Sequence, residues 1–317
     1  MKLPKKVDMA LEMNKELFKE DLPKLQAIAT KLRQRYHGKR VAFYTKPYTP
    51  VSVTGAECEL SCKHCDKHYL GHMEKASNAK QLEKIMESIS SAGTEGIVLS
   101  GGSKKDGSVP TYEKAAAIKK AKKKTNLIIN AHTGIVSKEQ AKKMAEYVDA
   151  ALTDIIGDKN TIKQILDLPY GPEDYKRTLR LLRDAGIENL SPHIIVGLHH
   201  GKIKGELAAL NMIKDADPDN VVIVVFIPTK GTPMANDAPP KIADVAKIIA
   251  IARILYPAKN ISLSCVRPGG RYRTALDREA LKSGVNKIAV PSKAAYKTSE
   301  ELGLEILEVT TSRCCSW

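Results

Sequence analysis

The sequence predicts an α/β fold, a (β/α)8 TIM-type barrel, and three observations carry that expectation. Eight short β-rich runs, at 51–55, 96–99, 127–130, 150–156, 191–197, 221–227, 261–265 and 286–290, alternate with helical stretches such as 81–92, 138–147, 174–185, 242–255 and 276–283. Eight strands, each trailed by a helix, read as a closed parallel barrel. The length of 317 residues holds one such barrel with room for an N-terminal extension and a tail. The third observation is position: the chemically unusual residues fall just after the strand-like runs, the end where barrels of this kind carry their sites. A partial, six-strand barrel is the alternative, should the last two strands belong elsewhere.

Taken in order, residues 1–37 read as two helices. Asp21 with Pro23 marks a start, Leu22, Leu25, Ile28 and Leu32 make an apolar stripe, and Gly38 supplies a stop. The expected organisation is an N-terminal helical extension over 1–45, the barrel over 46–303 and a cysteine-containing tail over 304–317, folded over the barrel mouth. Segments 100–103, 130–134, 154–158, 197–201, 228–233 and 265–268 follow the second to seventh strands and hold most of the Gly, Asp, His and Cys candidates.

The net charge of +15 and pI near 9.4 attract anions in general and select none. The densest basic run, 119–124, continues a helical pattern from Tyr112 and reads as a solvated face. Aromatics are only 5% of the chain, and nucleic-acid modules usually add aromatic stacking, so nucleic acid is not an expected partner. No long uncharged apolar stretch suggests a membrane span, and the opening residues lack the apolar core of a signal peptide, so a cytoplasmic location is expected.

Of six cysteines, three sit together at Cys58, Cys62 and Cys65, after the first barrel strand. Three thiolates hold three irons of a four-iron cluster and leave the fourth open to a ligand that takes part in the chemistry. The competing reading is a structural zinc site completed by His64, His68 or His72. Structural zinc usually draws its ligands from two separated knuckles, whereas these thiols share one loop. A disulfide framework fits poorly with a long chain, few cysteines and no secretory leader.

The cysteine spacing, Gly101-Gly102 after the second strand, Arg177 in the helix after the fourth, Ile195 to Leu198 in the fifth and Lys230 to Pro233 after the sixth together resemble the radical SAM superfamily. Within it the chain is similar to biotin-synthase-related enzymes, from about residue 51 to residue 292. The resemblance implies a barrel of radical SAM type with a 4Fe-4S cluster on Cys58, Cys62 and Cys65 that chelates S-adenosylmethionine (SAM). It further implies an amine-binding turn at Gly101 and Gly102, a carboxylate partner in Arg177, a ribose contact from Asp154 or Asp158, and an adenine-side backbone from Ile227 to Thr229.

Biotin synthase takes its sulfur from a second cluster held by inner-strand cysteines and an arginine. The matching positions here are Asn130, Ser191 and Ser262, so that cluster cannot form as such. The remaining cysteines, Cys265, Cys314 and Cys315, are expected to hold an auxiliary 4Fe-4S cluster, with Ser316, water or substrate on its last iron. A terminal Cys-Cys-Ser on such a barrel resembles the archaeal two-protein lipoyl synthases. That likeness implies a radical SAM sulfurtransferase inserting sulfur into a protein-bound octanoyl chain. Its implied partners are a companion radical SAM subunit, an octanoylated lipoyl carrier (H protein or E2 lipoyl domain) whose acidic surface suits a basic enzyme, and an electron donor such as ferredoxin. The alternatives are another biotin-synthase-like reaction, thioether formation or metallocofactor maturation, and a non-catalytic basic metal-binding module. His132, His193, His199 and His200 are expected at the mouth without an assigned role.

Overall fold

The computed structural model describes residues 6–310. Two helices, α1 (Lys6–Lys19) and α2 (Leu22–His37), lead into strand β1 (Arg40–Tyr44). β2 (Thr49–Ser52), β3 (Glu74–Lys75), α3 (Ala79–Ser91), β4 (Gly96–Ser100), α4 (Ala115–Thr125), β5 (Ile128–His132), α5 (Lys138–Ala145) and β6 (Ala150–Asp154) make the first half. The short α6 (Lys159–Thr161), α7 (Pro172–Asp184), β7 (Asn189–Val196), α8 (Glu206–Met212) and β8 (Asn220–Val225) follow. The chain then runs through α9 (Ile242–Leu255), β9 (Asn260–Leu263), α10 (Gly270–Lys282), β10 (Lys287–Ala289), α11 (Lys293–Glu301) and β11 (Glu305–Val309).

All pairings are parallel, in the order β11-β1-β10-β9-β8-β7-β6-β5-β4-β2-β3. The eight expected strands are β2 and β4 to β10, neighbours in the expected order, and the sheet curls around a central lumen. Its ends are extended rather than joined to each other: β3 adds beside β2, while β1 and β11 add beside β10. β1 lies within the span expected as a helical extension and β11 within the span expected as a tail. Each is a single short strand, which composition marks weakly.

The sheet is parallel because both of its faces are covered, which is why β4 and β8 are buried along their whole length. On the outer face, Val51, Ile97, Leu99, Ile129 and Ala131 pack on Leu82, Met86, Ile118 and Met144 of α3, α4 and α5. Ile194, Val196, Val221, Ile223, Ile261 and Leu263 pack on Leu179, Ile248, Ile249 and Leu276. Each such fully buried aliphatic contributes about 1.5–3 kcal/mol. The two-residue period then turns Asn130, His132, Asp154, Ser191, His193 and Ser262 toward the lumen, where Tyr48, Val98 and Leu152 form a small separate floor.

The face of α2 differs from the stripe read in the sequence. Leu25, Ala29 and Arg33 are its buried residues, Leu25 and Ala29 pack on Ala250 of α9, and Ile28 is 40% exposed. An i, i+4, i+8 face won over the i, i+3, i+6 one because the small Ala29 permits close approach to α9. The basic run lies on the outside of α4, and four of its five lysines are partnered: Lys119 with Glu146, Lys120 with Glu83, Lys122 with Asp149 and Lys124 with Glu87. No described helix is long and apolar enough to cross a membrane.

Candidate active site

The loop after β2 is pinned before its first cysteine. Ser52 Oγ donates to Gly55 O (2.7 Å), Thr54 Oγ1 donates to Glu57 O (2.7 Å), and Gly102 N donates to Thr54 Oγ1 (2.8 Å). A Cβ on Gly102 would lie 2.0 Å from Glu57 O and 2.5 Å from Cys58 Cα, so only glycine lets the turn after β4 press against the cysteine loop. Ser103 N then donates to Cys58 Sγ at 3.3 Å. Further along, Lys63 N donates to Ile165 O (2.8 Å) and Cys62 Sγ lies 3.7 Å from Leu166 O. Cys65 N and Asp66 N both donate to Cys62 O, and Asp66 and Lys67 take left-handed conformations to close the turn. Tyr69 OH meets Thr229 Oγ1 at 2.8 Å, which ties the loop to the segment after β8.

Burial, reinforced by Cys65 and Cys58, pushes the Cys62 thiol up to about 12, and burial raises Cys65 as well. The three sulfurs are near enough to repel one another as thiolates, so a cationic group placed among them gains on both counts and releases protons as it binds. Among the described residues no three Cys, His, Asp or Glu side chains gather tightly enough for a single metal ion, as four-coordinate zinc requires. The donor set fits a larger iron-sulfur cluster better, since such a cluster spaces its ligands further apart. His64 is not recruited; burial lowers it to about 4, and its Nδ1 has no partner.

The lumen beside this loop is polar, and its histidines are held neutral. His132 Nδ1 lies 3.0 Å from Ser100 Oγ, His193 Nδ1 lies 2.8 Å from Ser191 O, and the two rings are 5.8 Å apart in an edge arrangement. Burial lowers His132 to about 4; burial, with His132 adding to it, lowers His193 to about 3. Asp154, at the end of β6, reaches solvent through the open lumen but has protein on every side, and that enclosure raises it to about 6. Asn130 is fully buried, and both atoms of its amide lack a partner. A native buried amide in that state calls for a ligand or ordered water. Ser262 donates to Asn220 Oδ1 at 2.7 Å.

The structure therefore brings together Cys58, Cys62, Cys65, Gly102 and Thr229, and turns Asp154 toward the same lumen. Asp158 is engaged elsewhere: it caps α6 by accepting from Thr161 N and Thr161 Oγ1, both at 2.7 Å. Gly101 precedes Gly102 with φ of 152°, and Ile227 O accepts from Thr229 Oγ1. Arg177 sits on the exposed face of α7, paired with Asp174 at 2.8 Å, while Tyr175 turns inward. Cys265 packs with Tyr44, Ala289 and Val309. Cys314, Cys315 and Ser316 lie outside the described residues. Of the other mouth histidines, His199 Nδ1 meets Thr161 Oγ1 (3.1 Å) and His200 pairs with Asp237 (2.8 Å).

Sequence reasoning missed Ser103, the 165–166 carbonyls and Tyr69, all held by backbone or long-range contacts without a motif. It also missed the buried Arg267–Asp277 pair (2.9 Å), which fastens the strand ends beside Cys265 through Ala289 O and Val290 O. A charged residue four positions after the end of β9 was the available signal.

A family model described as the Radical SAM superfamily matches residues 52–213, and one described as the Biotin and Thiamin Synthesis associated domain matches 220–313. The biotin synthase of Paramagnetospirillum magneticum is 29% identical over 229 residues, 69% of this chain and 68% of that protein. The biotin synthase of Chlorobium phaeobacteroides is 25% identical over 285 residues, 83% of this chain and 79% of that protein. Among solved structures, methylornithine synthase (PylB) superposes with a TM-score of 0.67 at 17% identity, covering 95% of this chain and 97% of that one. The FeFe-hydrogenase maturase HydG from Carboxydothermus hydrogenoformans gives 0.65 at 15% identity, covering 95% and 79%.

Proposed function

The chain belongs to the radical SAM superfamily, and from that premise we propose that it is a sulfurtransferase of the lipoyl synthase type, inserting sulfur into a protein-bound octanoyl chain. Its biotin-synthase relatives imply a 4Fe-4S cluster and SAM as cofactors. Cys58, Cys62 and Cys65 would hold the cluster. The Gly101-Gly102 turn, Asp154 and the backbone from Ile227 to Thr229 would receive SAM, while Arg177, held by Asp174 on the exposed face of α7, is not placed to pair with it. When bound, that pair supplies a carbon radical able to take hydrogen from an unactivated C–H bond. The protein's part is to hold the acyl carbon in near contact with both the hydrogen acceptor and the sulfur source, and to keep water away.

The observation that carries the reading is the path of the chain at its end. β11 runs parallel to β1 and delivers Val309 to the packing around Cys265, at the mouth end of the sheet. Cys314 is five positions further on, a span of roughly 17 Å when extended, which lets the terminal cysteines reach Cys265. An auxiliary cluster on Cys265, Cys314, Cys315 and Ser316 would be the sulfur source, replacing one that Asn130, Ser191 and Ser262 cannot hold. The net charge of +15 suits an acidic lipoyl carrier, with a companion radical SAM subunit and a ferredoxin-like donor as further partners.

The test is anaerobic reconstitution with SAM, a strong reductant and an octanoylated carrier, with and without a second radical SAM subunit. About eight irons per chain are expected for two four-iron clusters. Replacing Cys314 and Cys315 by Ala should abolish sulfur insertion and spare SAM cleavage. Sulfur insertion that survives the double substitution would overturn the reading. One observation favours a second reading: the lumen around Asn130, His132 and His193 suits a polar substrate better than a bare alkyl chain. A different biotin-synthase-like reaction would follow if dethiobiotin or another small polar molecule were turned over and the octanoylated carrier were not.

A further inference from the structure

The loop that carries the three cysteines ends in a short 3-10 helical turn, His68–His72, entered through the left-handed Lys67. Backbone bonds fix it on both sides: His68 N donates to Cys65 O (2.8 Å), Leu70 N to Lys67 O (3.1 Å) and Met73 N to Leu70 O (3.4 Å). Leu70 is buried and Tyr69 is held by Thr229, while His68 and His72 are both exposed to solvent. The turn is therefore anchored through its middle and presents a histidine at each end.

The two Nε2 atoms stand 3.4 Å apart, with ring centres at 5.2 Å and ring planes tilted by 58°. That separation lies beyond the range of about 2.7–3.2 Å in which N–H donors bond well. It matches the bite of a tetrahedral ion instead: two nitrogens each about 2.05 Å from a metal, at the tetrahedral angle, are about 3.3 Å from each other. The His68 ring also rests edge-on against Tyr69, with centres 5.4 Å apart, which restricts its rotation. Among the described residues neither imidazole has another hydrogen-bond partner. His37, His132, His193, His199 and His200 are each engaged by a guanidinium, hydroxyl, carbonyl or carboxylate group.

Imidazole nitrogens suit borderline divalent ions such as Zn²⁺, whereas Mg²⁺ and Ca²⁺ prefer oxygen. Among the described residues no third Cys, His, Asp or Glu joins a metal-binding group here. The pair would thus make an open site, with two positions filled by protein and two by water, rather than the closed shell of a structural zinc.

We propose that His68 and His72 chelate one Zn²⁺-like divalent ion on the solvent side of the cysteine loop, a metal site distinct from the three thiols. The ion bridges the two ends of the turn and so stiffens the segment that carries Tyr69 to Thr229. The experiment is anaerobic calorimetric titration of the untagged, cluster-loaded protein with Zn²⁺, with the visible absorption of the cluster followed throughout. Zn²⁺ should bind at one site per chain and leave the absorption unchanged, and Mg²⁺ should not bind. His68→Gln and His72→Gln should each weaken Zn²⁺ by more than the roughly tenfold seen on losing a residue that merely supports a ligand. His200→Gln, which removes an exposed histidine already paired with Asp237, should leave the affinity unchanged. The variant with Cys58, Cys62 and Cys65 all replaced by Ala should bind Zn²⁺ as the wild type does, which separates this site from the cluster ligands and from any reading of the reaction. Zn²⁺ binding that is absent, that occurs only as the cluster bleaches, that is lost with the cysteines or that survives both histidine substitutions would overturn the proposal.

Discussion

The two ends of this one sheet solve the problem of buried polarity in opposite ways. At the C-terminal end the groups can shed charge: the Cys62 thiol is pushed up to about 12 and His132 is lowered to about 4, each chiefly by burial. At the N-terminal end the polarity is Arg33 and Arg253; burial lowers both, yet Arg253 remains near 9 and charged at neutral pH. An end made of neutral donors waits for a cation to take its protons' place. An end made of fixed cations must be satisfied by carbonyls and anions.

The sharpest way to break this contrast is Cys58→Ala. It should cost iron loading and SAM cleavage far more than the roughly 100-fold typical of losing a supporting outer residue, while thermal stability of the metal-free protein is nearly unchanged. Full iron content by metal analysis would contradict the ligand assignment. Arg253→Met should do the reverse. Six acceptors lose this donor, of which Asn286 Oδ1 and Tyr256 O keep another, and with each buried orphan costing about 1–3 kcal/mol, unfolding in denaturant should show a loss of at least about 3 kcal/mol. A loss below about 1 kcal/mol would mean that this end is not held together by its arginines.

Gly102→Ala sharpens the comparison within the site. The new methyl meets Glu57 O and Cys58 Cα, so the loop must move, costing about 1–3 kcal/mol and lowering iron uptake. Gly171→Ala, where nothing lies within 4 Å, is the control and should load normally. The smallest effect is expected at Glu206, beside the mouth, which accepts from Gly197 N at 2.8 Å and is raised by burial to about 7. Its folded-state value lies above the ordinary 4.5, so its contribution to stability is complete below that value and is lost as pH rises through about 7. The melting-temperature advantage of the wild type over Glu206→Gln should therefore shrink from about pH 5 to about pH 8. An unchanged or growing advantage would show that Glu206 is held ionised.

Much of the site was legible because its signals are short. Cys58, Cys62 and Cys65 share one loop, Gly102 has to be small for reasons local to that loop, and the eight barrel strands carry continuous apolar runs. What stayed hidden depends on register. Asn130, His132, Asp154 and His193 look like unrelated loop and strand residues until the pairings His132↔Leu152 and Asp154↔His193 set them side by side. Arg177 shows the converse, since its place in the chain matched a motif while its side chain is engaged by Asp174, one helical turn away.

By itself the sequence determined the alternation of elements, the parallel sheet that follows from it, and a donor set suited to an iron-sulfur cluster, because each is written within a dozen neighbouring positions. Only the tertiary structure decided that β1 and β11 extend the sheet, that α2 buries Arg33 instead of Ile28, and that Cys62 lies against Leu166, 104 positions away. Those outcomes rest on which faces meet when the sheet curls. That is settled by packing the whole core at once, beyond the reach of any local pattern.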